Sequence, residues 1–302
     1  MITIDAMETF LCIARLGSFT RAADMLHRSQ PAISRRIALM EESLGAALFE
    51  RIGGQVRLSE PGRTFLPHAE RALAAVRDGR AAVSALLDGA AGGIALAIVG
   101  TLADSHLAGL LRRFATDHPD VEVALRTATS REVSDLVRTG EATLGLRYFH
   151  DPRPDLLSRV IAQEPLLVVA APEHPLAGVR PVEPAALQGQ TWLGFPVERG
   201  GPESAGHVLR RALERIDQHT VAITEVDSLT GQKRLAEAGF GLAMLPASSV
   251  HDELARGSLV RIDAPALAAA NPIAVVCRRD GFLSPAALSL LALIEAVLPE
   301  TG

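Results

Sequence analysis

Two cysteines in 302 residues, Cys12 and Cys277, are too few and too far apart for a disulfide framework, and no CxxC pair offers a zinc site. Aromatic residues make up 4% of the chain, which leaves few stacking surfaces for a large aromatic ligand. No apolar run reaches the ~18 residues needed to cross a bilayer. The first ten residues, MITIDAMETF, lack the basic-then-apolar pattern of a secretory leader. These absences point to the cytoplasm and away from a membrane. HExxH, GxSxG, a Walker A loop and a GxGxxG after a strand are all missing. The nine histidines show no metal-ligand spacing. The reading is therefore a chain with no catalytic residue, no metal and no cofactor.

What is present is the composition of a globular protein of about two domains, 48% hydrophobic and 22% charged. The net charge of −5 argues against a polyanion binder as a whole, but charge acts locally. Through Leu58 the chain carries seven arginines against six carboxylates, so this segment is positive while the remainder holds the acidity. The first sixty residues are the place for nucleic acid.

Periodicity organises that segment. Met7, Phe10, Leu11 and Ala14 mark one face of a helix from Asp5 to Leu16. Ser18 suits the cap of a second helix, with Phe19, Ala22, Ala23 and Leu26 inward. Ser29 suits the cap of a third, with Ile33, Ile37, Met40 and Leu44 inward. Pro31 is tolerated in its first turn. LFERIGGQVRL then reads as a hairpin around Gly53-Gly54. From SEPG (59–62) onward, Phe65, Ala69, Ala72, Val76, Gly79, Val83 and Leu86 form a heptad seam that calls for a second copy of itself. DGAAGG (88–93) is the break between domains. Beyond it, strands and helices alternate in α/β fashion with mainly parallel sheet, and about 210 residues suggest two subdomains.

Helix, tight turn, helix and hairpin make a winged helix-turn-helix, whose third helix presents its N-terminal end to base edges. Ser29, Gln30, Ser34 and Arg35 lie at that end, opposite the Ile33/Ile37 stripe. Gln pairs with adenine and Arg with guanine or phosphate. Arg51 and Arg57 flank the hairpin and suit backbone contacts.

The stretch FLCIARLGSFTRAADMLHRSQPAISRRIALMEESLGAALFER resembles the N-terminal domain of LysR-type transcriptional regulators. GSFTRAA, SQPAIS, MEESLG and LFER fall in the family's order, and LSEPG, HPL (174–176) and AGFGLAMLP (238–246) extend the likeness. The resemblance implies a fold of α-helical winged helix-turn-helix DNA-binding domain (1–58) plus a long dimerising linker helix (59–89). A two-subdomain α/β periplasmic-binding-protein-like effector domain follows (90–302), with subdomain I at 90–162 and 268–302 and subdomain II at 163–267. It implies double-stranded promoter DNA, a small-molecule effector, dimer or tetramer formation and RNA polymerase as partners. DNA contacts carry over to Gln30, Pro31, Ser34, Arg35 and Arg51, with Ser29 beside them. The wing departs from the family in carrying Gly54 and Gln55 where further basic residues are common. Effector contacts are expected from the strand ends at Thr101 and Thr129 and from Arg147. The loop FPVERGGPES contributes Pro196, Gly200 and Gly201, with Glu198 favouring a cationic or amide-bearing ligand, and Asp227 opens a helix that faces the hinge. With one cysteine in that domain, thiol-pair sensing is excluded. The alternative is a cytoplasmic solute binder of periplasmic-binding-protein type without operator specificity.

Overall fold

The structure is a computed structural model that describes residues 1–87, 93–103, 105–197, 205–217 and 221–297. By their contacts these form two compact units. One is Met1–Ser84 with Arg138–Glu141, and the other is the remainder from Ala85 onward.

The first unit opens with α1 (Ile4–Leu16), α2 (Phe19–Met25) and α3 (Gln30–Leu44). Each helix buries the apolar face that its spacing predicts. Phe10, Ile13, Ala22, Ala23, Ile33, Ile37 and Met40 make one core, and the Phe10 ring packs tilted against Phe49 and edge-to-face with Phe65. Ser18 caps α2 by accepting from the Arg21 N–H. Ser29 does occupy the N-cap position of α3 in extended backbone, but its hydroxyl makes no cap hydrogen bond. Pro31 stands at the second helical position, where the usual donor to such a cap is a backbone N–H that proline lacks.

The antiparallel hairpin is β1 (Phe49–Ile52) and β2 (Gln55–Leu58). Gly53 and Gly54, with φ of 58° and 80°, give the two left-handed residues that a two-residue hairpin turn of this twist requires. Helix α4 (Glu60–Leu87) follows at once. Its first turns belong to the same core through Phe65, Leu66 and Ala69, so it is no detached linker at that end. Val83 and Leu86, at the far end of the seam, are exposed.

The second unit carries β3 (Ile94–Val99), α5 (Ser105–Asp117), β4 (Val123–Ala128), α6 (Ser130–Arg138) and β5 (Leu144–Tyr148). Then come β6 (Leu156–Ala170), β7 (Thr191–Gly194), α7 (Ala205–Glu214), β8 (Ala222–Glu225), α8 (Leu229–Glu237) and β9 (Leu242–Pro246). The unit closes with α9 (Ala247–Arg256), β10 (Val260–Arg261), β11 (Ala269–Arg278) and α10 (Pro285–Val297). The strands run in the order β4-β3-β5-β11-β6-β9-β7-β8, with β10 on β6.

The expectation of a mainly parallel sheet needs correction. β3, β4 and β5 are parallel, as are β7, β8 and β9, but β11 pairs antiparallel with β5 and with β6, and β6 pairs antiparallel with β9. Strand β6 is also nine residues longer at its start than the PLLVVAA run suggested. Its first half, LLSRVIAQE, shows no clean alternation because it crosses from one group to the other and changes surroundings on the way. A register shift between Ile273 and Ala274 marks that crossing. Separate cores flank it, one around Phe114, Leu146 and Leu290, the other around Trp192, Leu209 and Leu242.

Candidate DNA-binding surface and effector cleft

Ser29, Gln30, Pro31 and Arg35 are exposed at the start of α3, and Ser34 is half-buried beside them. They occupy one end of a helix whose other face is locked into the core. Gln30 Nε2 donates to Ser34 Oγ at 2.9 Å, so the two polar groups form one edge. The side chains of Arg35 and Arg51 make no hydrogen bond or ion pair with any described residue. Arg28, one residue before Ser29, shares that condition and adds a third cation that sequence reasoning passed over.

Arg36 was also passed over, and it does different work. One position past Arg35, it is turned about 100° around the helix and points at α1. There its Nη1 donates to Thr9 Oγ1 at 3.1 Å and its Nη2 lies 3.6 Å from Asp5 Oδ2. It fixes how α3 is presented. Glu41 acts similarly for the wing, accepting from the Leu48 N–H at 2.7 Å. In the hairpin register Arg51 faces Val56, whereas Arg57 faces Glu50. The two arginines therefore leave opposite faces of the wing. Gln55 accepts from Arg57 Nη2 at 3.2 Å, so that guanidinium is drawn back along its own strand.

In the second unit, Thr101 lies in a 3-10 turn (Gly100–Leu102) at the end of β3. It is buried, and its Oγ1 donates to Tyr148 OH at 3.1 Å. Thr129 precedes α6 and forms a capping box. Its N–H and hydroxyl donate to Glu132 Oε2 at 2.9 and 2.8 Å, while the Glu132 N–H returns to its Oγ1. The T-x-x-E signature was visible in TSRE, and it gives the threonine a structural task.

Arg147 was expected to meet a ligand carboxylate, and the fold supplies one of its own. Its Nη1 donates to Asp151 Oδ2 at 2.5 Å and to Ser134 Oγ at 2.9 Å, and its Nε to the Tyr148 carbonyl at 3.0 Å. Arg153 binds the same carboxylate through Nε and Nη2 and extends the chain to Asp135 at 2.6 Å. Burial pushes the Asp151 carboxyl up. Hydrogen bonds from Arg153 and Ser134, with the Arg153 charge, outweigh that and hold it well below the usual carboxylate range. Arg147 is thereby committed to a buried network that joins β5, α6 and the start of β6.

Pro196 follows β7, half-buried, in a segment against which Gly206 of α7 packs closely. Gly200, Gly201 and Glu198 lie outside the described residues. Asp227 is exposed just before Ser228, whose hydroxyl caps α8 through the Gly231 N–H at 3.2 Å. The HPL turn has a local explanation too, since His174 Nδ1 accepts from the Leu176 N–H. Cys277 is buried, and burial pushes its thiol up, which suits packing rather than reaction. Among the described residues no cluster of potential metal ligands occurs, and no helix is long and apolar enough to cross a membrane.

Comparison with known proteins places these observations. Residues 4–63 match the model of the bacterial regulatory helix-turn-helix protein, lysR family, and residues 87–299 that of the LysR substrate binding domain. The HTH-type transcriptional regulator CbbR of Rhodospirillum rubrum is 30% identical over 294 residues, spanning 96% of this chain and 95% of its own. CfxR of Cupriavidus necator is 29% identical over 265 residues, 87% and 81% respectively. Among solved structures, CbnR, a LysR family transcriptional regulator, superposes with a TM-score of 0.65 at 25% identity, covering 98% of this chain and 99% of that one.

Proposed function

The chain belongs to the LysR family of transcriptional regulators, and from that premise we propose which of its residues read DNA and which meet the effector. The reading edge is Ser29, Gln30, Pro31, Ser34 and Arg35, with Arg51 from the wing and Arg28 as an added phosphate contact. One observation carries this. Arg35 stands exposed and uncommitted on the same helix end as the Gln30–Ser34 pair, while its neighbour Arg36 is tied to α1. Arg57, on the opposite face of the wing, is left out.

The domains we assign are a DNA-binding body at 1–58, a pairing helix at 59–89 and an effector domain at 90–302, with its hinge where β6 and β11 shift register. The effector is a small polar molecule held near Thr101 and Thr129, with Pro196 and Asp227 on the other side. Arg147 acts on it through Tyr148 rather than by contact. The exposed Val83 and Leu86 favour pairing of α4 with a second copy, giving a dimer and then a tetramer. The protein works in the cytoplasm, on promoter DNA and beside RNA polymerase. It carries out no catalysis.

Fluorescence anisotropy on the DNA upstream of its own coding sequence, at two salt concentrations and against random competitor, tests the reading. Specific binding should survive competitor. Arg35→Ala should weaken it by about 1–3 kcal/mol while leaving affinity for random DNA nearly unchanged. Equal loss on both DNAs would reduce Arg35 to a phosphate contact. No specific binding by the unaltered protein, at either salt, would restore the solute-binder alternative.

A further inference from the structure

The strand register shows where the two halves of the second unit meet. Strand β5 ends at Tyr148, which faces Ile273 of β11, and Ile273 in turn faces Ala162 of β6. From the other side β9 ends at Pro246, which faces Leu166 of β6. The carboxyl ends of both parallel groups therefore converge on β6 between 162 and 166 and on β11 between 269 and 273. Crevices at such ends are where open α/β sheets bind ligands.

Midway between these limits Asn271 stands directly opposite Glu164. Opposed residues of an antiparallel pair leave the sheet on the same face. Both are buried, at 2% and 7% exposure. Glu164 Oε1 accepts from the Ser248 N–H at 3.1 Å, in the first turn of α9, a helix end that favours negative charge. Helix α9 also touches the 3-10 turn that holds Thr101. Asn271 Oδ1 and Ser248 Oγ are both buried with no hydrogen-bond partner among the described residues. A buried polar atom without a partner loses its hydration and gains nothing in return, so a site that keeps two of them is built for something that supplies the missing bonds.

We propose that Glu164, Asn271 and Ser248 form the ligand-recognising floor of the cleft, and that they select an effector with a cationic, multiply N–H-donating end, an amidinium, guanidinium or ammonium group. A carboxylate and a carboxamide oxygen on adjacent strands accept from two N–H groups of one planar cation, and the serine hydroxyl accepts a third. This rests on the assignment of the second unit as the effector domain.

Acetamidinium is the minimal probe, and acetate is its anionic counterpart of the same shape. Titrated into the full-length protein to about 20 mM, acetamidinium should raise the melting temperature in a saturable way, and acetate should not. Glu164→Gln and Asn271→Ala should each weaken the response about tenfold, and Asn271→Asp should strengthen it. Unliganded melting curves show whether each variant folds, and Asn271→Ala carries the test if Glu164→Gln does not. No saturable rise, a rise with acetate instead, or an undiminished rise in the variants would overturn the proposal. Operator anisotropy on the same preparations separates the two ideas. Intact operator binding without a cation response removes the ligand class alone, whereas lost operator binding removes the reading beneath it.

Discussion

Asp151→Asn should destabilise the second unit by about 3–5 kcal/mol at neutral pH, the cost of leaving a buried charge without its partner. The substitution keeps the shape of the side chain but removes the charge that Arg147 and Arg153 share. Arg147, 4% exposed, would keep its bonds to Ser134 Oγ and the Tyr148 carbonyl but would face a neutral amide in place of the carboxylate. The pH dependence follows from the depressed carboxyl. Folding holds Asp151 below its unfolded value of about 3.9, so its stabilisation is complete above that pH and is lost as pH falls toward the folded value. Urea unfolding of the two proteins should therefore show a constant gap between about pH 5 and 8, closing progressively below about pH 4. A gap under about 1 kcal/mol at pH 7 would mean that water serves Arg147 as well as Asp151 does. The network also orients Tyr148, so the variant should blunt any effector response even where it remains folded.

Gly62→Ala should be the most damaging single methyl in the first unit. A Cβ at this position would lie 2.0 Å from the Leu48 carbonyl oxygen and 3.1 Å from Leu58 Cδ2. The carbonyl cannot retreat freely, because it accepts from the Ser59 N–H at 2.9 Å while Ser59 Oγ donates to the Ala47 carbonyl and accepts from the Gly62 N–H. The first turn of α4 is thus spliced onto the segment that leads into the wing. Overpacking against backbone commonly costs 1–3 kcal/mol, and we expect about 3 kcal/mol or more here. Gly109→Ala is the control. It lies in α5, where an added Cβ meets nothing within 4 Å, so it should stabilise by up to about 1 kcal/mol. Chemical denaturation measures both. Equal effects would show that helix propensity, not the Leu48 contact, governs Gly62. Operator affinity should fall with Gly62→Ala as well, since the displaced turn carries the wing.

The two residues at the centre of these predictions illustrate different degrees of legibility. SEPG was recognisable as the start of the long helix. The need for glycine was not, because it arises from a backbone carbonyl fourteen residues away in sequence. Asp151 is only four residues from Arg147, yet pairing them requires knowing which face of β5 the arginine leaves. The capping box at Thr129 was legible in TSRE, where a helix cap and an effector contact are alternative readings of the same threonine.

Local order was determined by the sequence alone. The helical stripes of α1 to α4, the glycine turn of the hairpin and the approximate places of most strands follow from periodicities and caps that act over one or two turns. The polar end of α3 follows equally, because the Ile33/Ile37 stripe dictates which side must face outward. Tertiary structure decided what meets across long separations. It set the antiparallel crossing of β6 and β11, the opposition of Glu164 and Asn271 more than a hundred residues apart, and the tie from Arg36 to α1. Those pairings depend on strand register and helix rotation, and a shift of one residue would turn each of these side chains to another face.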